Sequence, residues 1–469
     1  MELRAQLRNV STFRRLKGTL TSEYTISGTV AVSHGKLVYA EYLLTHQPCV
    51  IRLVPKASAR PVVLKKLKQE MQVLSNLDHP HILQTYETLE DNTHYYVVSE
   101  AYIAGEFERT VKQRVSEQET ALILEQVLGA LCYCHMQGVV HRSIRLETLV
   151  MQTSPSPGEN LIVKLSGFTE ATFFPSEGAL NTAVGSCYFI APEVLKRSYT
   201  EKCDIWSCGV LAYFLLSGRY PFSGATPAVM LEHVASAAVR FPEEHWRGVS
   251  NCAKSFVSSL LQREPADRPS ALIALSHAWL SAHSLKLSPN SGQVRKSLGN
   301  ILGIHAMAAL KQAVMTFIVN RIVDKKELTA LREAFKALDL NGDGQISEAE
   351  LKAGLSKILP VQQAETEAKR VMSLADGNQN GVLDYSEFMV SAFPEEKLLN
   401  LSNLRMAFDS FDRDGSGTIS LKELKDTVVV KGSEDDREMW EQLVKQVDVS
   451  GDGELDFNEF VQMMKRALN

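Results

Sequence analysis

The sequence predicts a two-lobed α+β fold followed by an all-α domain built from four helix-loop-helix units. Three observations predict it. Residues 24–56 alternate apolar and polar side chains in short runs, as strands do, and a helix-periodic stretch follows from Pro61 to Leu77. The charge is split along the chain: residues 1–320 carry 31 Lys+Arg against 26 Asp+Glu, and residues 321–469 carry 19 against 29. Within that acidic part, four twelve-residue loops begin at Asp339, Asp376, Asp412 and Asp448, each flanked by helical apolar runs.

The 469 residues fit about three domains. A hydrophobic fraction of 45% and a charged fraction of 22% are those of globular protein. An acidic C-terminal third suits cations better than nucleic acid. No apolar run reaches the ~18 residues of a membrane span. Met1-Glu2-Leu3-Arg4 opens no signal-peptide core, and Glu2 stands where myristoylation needs glycine. The first 23 residues, with Arg4, Arg8, Arg14, Arg15 and Lys17, read as a solvated extension. Cys49, Cys132, Cys134, Cys187, Cys203, Cys208 and Cys252 are odd in number and lack zinc-ligand spacing, so they read as buried free thiols in a reducing, cytoplasmic compartment.

Residues 24–280 carry an ordered series of signals. Glu70 lies in the Pro61–Leu77 helix, and Leu77-Asp78-His79-Pro80-His81-Ile82 follows as a strand entry. Tyr95-Tyr96-Val97-Val98-Ser99-Glu100 reads as a strand leading to a hinge, and Gly105-Glu106-Phe107 follows it. His141-Arg142-Ser143-Ile144-Arg145-Leu146-Glu147-Thr148 sits in a catalytic-loop frame of H-R-D-x-x-x-x-N type. Ala191-Pro192-Glu193, Asp204-Ile205-Trp206-Ser207-Cys208-Gly209-Val210, Tyr220-Pro221-Phe222 and Arg268-Pro269 complete the series. The order resembles a two-lobed protein kinase, which implies a buried Glu193–Arg268 ion pair.

Phosphoryl transfer depends on positioning and charge neutralisation. Four devices supply these, and each is altered here. The glycine loop becomes Val30-Ala31-Val32-Ser33-His34-Gly35, whose β-branched residues stiffen it and block close backbone approach to phosphate. The strand lysine becomes Arg52, which keeps the charge and can still pair with Glu70; Lys56 is a second cation nearby. In the catalytic loop, Ser143 replaces the proton-accepting Asp and Thr148 the metal-binding Asn, while Arg145 keeps the usual positive charge. Losing a general base costs roughly 10²–10⁴ in rate. In Ser166-Gly167-Phe168-Thr169, Gly167 stands where the D-F-G motif has its metal-binding Asp, and glycine offers no side-chain oxygen. Gly35, Arg52, Glu70, Glu100 and Glu106 remain as nucleotide-site candidates.

Residues 281–326 form a joint. Ser288-Pro289-Asn290-Ser291-Gly292 breaks the chain, and Val294, Leu298, Ile301, Leu302, Leu310, Val314, Phe317, Ile318 and Ile322 then recur at helical spacing among Lys296, Lys311 and Arg321. Such a helix reads as a target for a calmodulin-like module, or as a helix packed on the kinase-like lobe.

The four loops have the EF-hand pattern. Calcium takes six to eight oxygens at about 2.3–2.6 Å, drawn from positions 1, 3, 5, 7, 9 and 12 around a glycine turn at position 6. The ligand set reads Asp339, Asn341, Asp343, Gln345 and Glu350; Asp376, Asn378, Asn380, Val382 and Glu387; Asp412, Asp414, Ser416, Thr418 and Glu423; Asp448, Ser450, Asp452, Glu454 and Glu459. The residue at position 7 acts through its carbonyl. Ile346, Leu383, Ile419 and Leu455 at position 8 suit short strands that pair the loops two by two. The fourth loop has the most acidic ligands and is expected to bind tightest. Met372, Met406, Met439, Met463 and Met464 line a calcium-opened groove or simply pack the core.

The whole order, over about 24–469, resembles the calcium-dependent protein kinases, which fuse a kinase domain to a calmodulin-like domain. The resemblance implies calcium-controlled serine/threonine phosphorylation with ATP and magnesium, and a junction helix that calcium moves. It divides the chain into an extension (1–23), a kinase-like domain (24–280), a junction (281–326) and two EF-hand pairs (327–394 and 395–469). Because this chain departs from the pattern at Val30, Val32, Arg52, Ser143, Thr148 and Gly167, the reading is a calcium-responsive pseudokinase with four calcium sites. It would act on a partner kinase or a substrate protein. An active kinase recruiting Arg52, Arg145 and Glu170, and a scaffold holding ATP without metal, stay open as alternatives.

Overall fold

Alternation in the first part of the chain produces three long antiparallel strands, β1 (Tyr24–Val32), β2 (Gly35–Tyr42) and β3 (Pro48–Pro55). The computed structural model that shows this describes residues 4–6, 13–16, 18–32, 35–58, 61–111, 115–152, 161–175, 178–284, 292–302, 309–323, 325–420, 422–423, 429–431 and 451–465. Helix α1 (Pro61–Leu74) follows, then β4 (Thr85–Glu90) and β5 (His94–Glu100). The sheet runs β4-β5-β3-β2-β1, with Arg14–Arg15 added parallel to β4 at its edge. Helix α1 ends three residues before Leu77. The Asn76 amide bonds back to the Gln72 carbonyl at 2.7 Å, and Pro80 turns the preceding residue away from helix.

The extension is not a free tail where it is described. Phe13 packs edge-on against Tyr95 with ring centroids 4.9 Å apart. Arg14 reaches both Glu23 and Glu87, and Arg15 donates to Asn92 at 2.9 Å. Further upstream, Arg4–Gln6 pairs antiparallel with Val429–Lys431 of the C-terminal domain. Arg8 and Lys17 lie outside the described residues.

The larger lobe is built on α2 (Glu117–Met136). Its start is fixed by a reciprocal cap, with Ser116 Oγ accepting from Glu119 N and Glu119 accepting from Ser116 N. Strands β6 (Leu149–Met151) and β7 (Val163–Leu165) pair beside it, and α3 (Lys202–Ser217) is buried along most of its length. The Glu193–Arg268 pair is bidentate, at 2.5 and 2.7 Å, with the arginine side chain wholly buried. All seven cysteines are free, yet Cys252 is exposed, against expectation. It is the second residue of a helix whose Ala253, Phe256 and Val257 face inward.

The joint forms two helices, α4 (Gly292–Leu302) and α5 (Ala309–Arg321). The C-terminal part then adds α6 (Lys325–Leu338), α7 (Glu348–Leu355), α8 (Val361–Ala375), α9 (Tyr385–Ala392), α10 (Leu401–Phe411) and α11 (Phe457–Lys465). Short strands pair the loops as expected: Ile346 opposite Leu383, and Ile419 opposite Leu455, all four buried. Met372, Met463 and Met464 pack that domain's core; Met439 lies outside the described residues. Among the described residues, no helix is long and apolar enough to cross a membrane.

Arg268→Ala leaves Glu193 charged and buried without its partner. We expect a loss of about 3–5 kcal/mol from the larger lobe, read by urea unfolding. A loss within experimental error of zero would mean that Glu193 is held by other groups.

Candidate functional site

The floor of the interlobe cleft is held from below by Asp204. Its carboxylate accepts the N–H of His141 at 2.9 Å and of Arg142 at 2.7 Å. Arg142 adopts the left-handed region, with φ of 64°. Its side chain donates to the Glu170 carbonyl at 2.6 Å and to the Tyr199 hydroxyl at 3.1 Å. His141 bonds the Ser166 carbonyl at 3.0 Å and meets the buried Phe168 ring edge-on at 4.5 Å. The catalytic-loop backbone is therefore fully ordered around Ser143.

From above, Arg52 on β3 meets Glu70 on α1 at 2.8 Å, the predicted pair. Thr169 joins them, accepting from Arg52 at 3.4 Å and donating to Glu70 at 3.2 Å. Lys66 pairs with Glu170 at 2.5 Å, and Gln69 donates to the Ala171 carbonyl at 2.9 Å. Three α1 side chains, Lys66, Gln69 and Glu70, thus latch the helix onto the segment after Gly167. Glu170 is consumed in that latch and is not a spare acid for the cleft. Lys56 is consumed too, pairing with Glu90 at 2.7 Å. Thr169 and Lys66 had no sequence signal beyond their neighbours.

Glu100 needs correction as a ligand-facing side chain. Its carboxylate is buried behind the hinge, ion-paired with Lys164 at 2.6 Å, accepting from Gln84 N at 2.8 Å and bonded to Gln152. Its N–H is engaged too, donating to the Gln84 carbonyl at 3.0 Å. Gly35 pairs with Val32 at the head of β2, and Ser33 and His34 between them lie outside the described residues. The Glu106 side chain lies outside the described residues. Leu37 opposes Arg52 on the neighbouring strand, Val50 shares its face, and Val150 opposes Lys164. These three are only 6%, 1% and 4% exposed, covered by the protein's own atoms.

The two metal positions have become one contact. Gly167 has φ of 78°, and a Cβ built on it would lie 2.6 Å from Thr148 Cγ2. The Thr148 methyl therefore fills the space beside Gly167. Its hydroxyl is turned the other way, donating to the carbonyls of Ser143 and Arg145 at 3.1 and 2.9 Å. A site that needs hard oxygen ligands for magnesium presents a methyl and a bare α-carbon. The residues do not fit that ion.

The calcium loops keep their donor sets. In loops one to three the position-6 amides of Gly344, Gly381 and Gly417 bond Asp339, Asp376 and Asp412 at 2.9, 2.8 and 2.8 Å. The four position-6 glycines, Gly453 included, have φ between 83° and 88°, a region costly for side-chain-bearing residues. Glu350, Glu387 and Glu423 fold back to accept amides at position 2 of their loops, at 2.9, 3.0 and 2.8 Å. Asn341 bonds Asp343, Asn378 and Asn380 bond Asp384, and Gln345 reaches Asp384 across the pair. Val382 donates its N–H to Asn380 at 3.1 Å. In the third loop Asp412, Asp414 and Glu423 converge within 4.8 Å, the one such group among the described residues. Ser416 and Thr418 line it, and Thr418 bonds Glu454 of the fourth loop. Asp452 and Glu459 hold their own loop's backbone, at 3.0 Å each. Asp448 and Ser450 lie outside the described residues.

Two of these carboxyls are strongly perturbed: burial and then the neighbouring Asp384 push Glu387 up to about 9, and Asp339 is raised as well. Burial and then the neighbouring Asp343 push it up to about 7. A cation binding there would relieve both causes.

The junction helices lie in the calcium domain. Val294, Leu298 and Ile301 of α4 and Val314, Ile318 and Val319 of α5 share its core. Asn300 donates to the Ala392 carbonyl at 2.6 Å, and Lys311 pairs with Glu395 at 2.7 Å. Arg321, at the end of α5, reaches the small lobe: it meets Glu87 at 3.3 Å and covers the Tyr86 ring at 4.3 Å. A cavity of about 1170 Å³ separates that lobe from the second and third loops.

A two-lobed frame around an Asp204-anchored catalytic loop, joined to paired EF-hands, defines a kinase-type protein with a calcium-binding module. Comparison agrees: the protein kinase domain family matches residues 33–280, and the EF-hand domain pair matches residues 328–390 and 401–465. Calcium-dependent protein kinase 4 of Plasmodium falciparum (isolate 3D7) is 33% identical over 452 residues, covering 93% of this chain and 85% of that protein. Calcium-dependent protein kinase 33 of Arabidopsis thaliana is 32% identical over 433 residues, covering 90% and 81%. The chain belongs to the calcium-dependent protein kinase family, a calcium-regulated serine/threonine kinase family, and binds calcium.

Two expectations follow. Thr148→Ser keeps the hydroxyl and removes the methyl, so Gly167→Ala should destabilise the wild type more than the Thr148→Ser variant. A coupling of about 0.5–3 kcal/mol in a double-mutant unfolding cycle is expected; none would mean the methyl does not fill the site. Without calcium, the folded state holds the Asp339 proton more tightly than the unfolded chain, whose ordinary value is about 3.9. Metal-free stability should then fall as pH rises from about 4 to about 7. Calcium needs the ionised form, so the calcium-induced rise in Tm should be larger at pH 8 than at pH 6; an equal rise would show that Asp339 is already ionised.

Proposed function

We propose that this chain is a calcium-responsive pseudokinase. It binds calcium at four EF-hand loops, repositions its junction helices with the calcium domain, and presents its surface to a partner kinase or a substrate protein in the cytoplasm. The observation that carries the reading is the Thr148 methyl packed on Gly167, where a kinase holds magnesium with an amide oxygen and a carboxylate. Without that ion the charge developing on a transferred phosphoryl group loses several kcal/mol of stabilisation. Ser143 removes the proton acceptor as well.

Two further features support it. The acid that a compensated enzyme would recruit, Glu170, is tied to Lys66. The apolar faces of Leu37, Val50 and Val150, which would meet a nucleotide base, are already covered. Arg52 and Glu70 keep the paired geometry of an assembled kinase without the chemistry, which suits a lobe whose shape is its output.

The test is thermal unfolding in calcium or chelator, each with and without ATP and magnesium, followed by a phosphotransfer assay on a generic peptide. A large calcium shift, no magnesium-dependent ATP shift and no transfer are expected. An ATP shift that requires magnesium, or transfer abolished by Arg52→Ala, would overturn the reading.

A further inference from the structure

The calcium loops are unequally placed. The second and third open on the cavity beside the small lobe, and Asn380, Gly381, Asp414 and Ser416 are exposed. The first is pressed against α2 of the larger lobe and the turn between α1 and β4 that packs on it. The α-carbon of Gly344 lies on the His79 imidazole so closely that a Cβ there would overlap the ring. Tyr133 backs the same ring, with centroids 5.5 Å apart. On α2, Gly129 faces the same segment: a Cβ on it would meet the Gly342 carbonyl at 3.5 Å, leaving no space for a longer side chain. Beside it, Asp78 accepts the N–H of Ser386, at the start of α9, at 3.0 Å. Asp339, Gln345 and Glu350 are all less than a tenth exposed, as is Glu423 of the third loop, while Leu340 and Asn341 stay open on the outer edge.

An EF-hand loop surrounds its ion with its own backbone and side chains. Release requires that backbone to relax and the position-12 carboxylate to swing away. In the first loop the segment 342–344 is held by His79 and Gly129, so it relaxes only if the calcium domain lifts off the lobe. The open edge at Leu340–Asn341 still lets the ion approach.

We propose that the larger lobe clamps the first calcium loop, so that calcium bound there is released only when the domain undocks, and docking in turn tightens that site. The proposal rests on the reading of this loop as a calcium site. It assigns His79 and Gly129 a role in calcium retention although neither is a ligand. By linkage, whatever loosens docking weakens that site and leaves the third, which opens on the cavity, unchanged.

The experiment is stopped-flow release of calcium from the saturated full chain into an excess of fluorescent chelator. One ion is expected to leave at least about fivefold more slowly than the others, the low end of measured coupling between sites. Glu350→Gln should remove that slow phase and one bound calcium. Arg321→Ala weakens docking far from the loop. Gly129→Leu fills the space the loop occupies and favours helix α2. Both should bring the slow phase up to the rate of the rest with the stoichiometry unchanged. A slow phase that keeps its rate in both variants, or that disappears with Glu423→Gln instead, would overturn the clamp. An unchanged stoichiometry in Glu350→Gln would instead sink the calcium assignment of the loop, and the clamp with it.

Discussion

Glu87 on β4 is the carboxylate through which the parts of this chain are held in register. It accepts from Arg14 of the N-terminal extension at 3.1 Å, from Tyr24 on β1, and from Arg321 at the end of the junction helix at 3.3 Å. Burial alone would raise its pKa, but the two arginines hold it down at about 2. A buried charge left alone costs several kcal/mol, so such a group needs a partner in every state of the protein. With two arginines present, Arg321 can withdraw with the calcium domain and Arg14 still neutralises the carboxylate. The junction is fixed in position, and opening it leaves no carboxylate unpaired. Gln47, donating to the Asn320 carbonyl at 3.0 Å, adds direction without adding charge.

The cleft shows how a kinase frame is held together independently of its metal positions. Asp204, His141 and Arg142 hold the loop backbone, and Arg52, Glu70 and Thr169 hold α1, as they would in a working enzyme. None of these contacts needs a metal. The groups that did, at 148 and 167, have been replaced by a pair that fits each other better than it fits an ion. The contacts that hold the frame and the positions that would hold a metal are therefore different residues.

Much of this was legible in the sequence, for identifiable reasons. The strands of the small lobe, the Glu193–Arg268 and Arg52–Glu70 pairs and the two-by-two pairing of loops through Ile346, Leu383, Ile419 and Leu455 follow from motif spacing and period-two patterning. What stayed hidden depends on contacts between distant segments. Glu100 looked like a cleft residue because its position in the chain is at the hinge, but Lys164 lies 64 residues away and draws its side chain to the back. Arg14 looked solvated because Glu87 is 73 residues downstream. Thr169 and Lys66 carry no pattern of their own. The Thr148 methyl acts through a steric contact with a glycine, and sequence reading saw only two missing ligands.

His79 offers a different kind of consequence. Burial, with Lys164 and Lys336 nearby, lowers its pKa to about 3, so the ring under the first calcium loop is neutral at any ordinary pH. That seat is made of an imidazole face, a phenol ring and two glycines, and its strength comes from packing. The seat at Glu87 is ionic. Salt screens exposed charges but reaches a buried cluster such as Glu87 with its arginines far less, whereas cooling weakens apolar burial. The two ends of one docked domain therefore answer differently to temperature. Cold weakens the seat under the first calcium loop while the ionic seat at the small lobe keeps its hold.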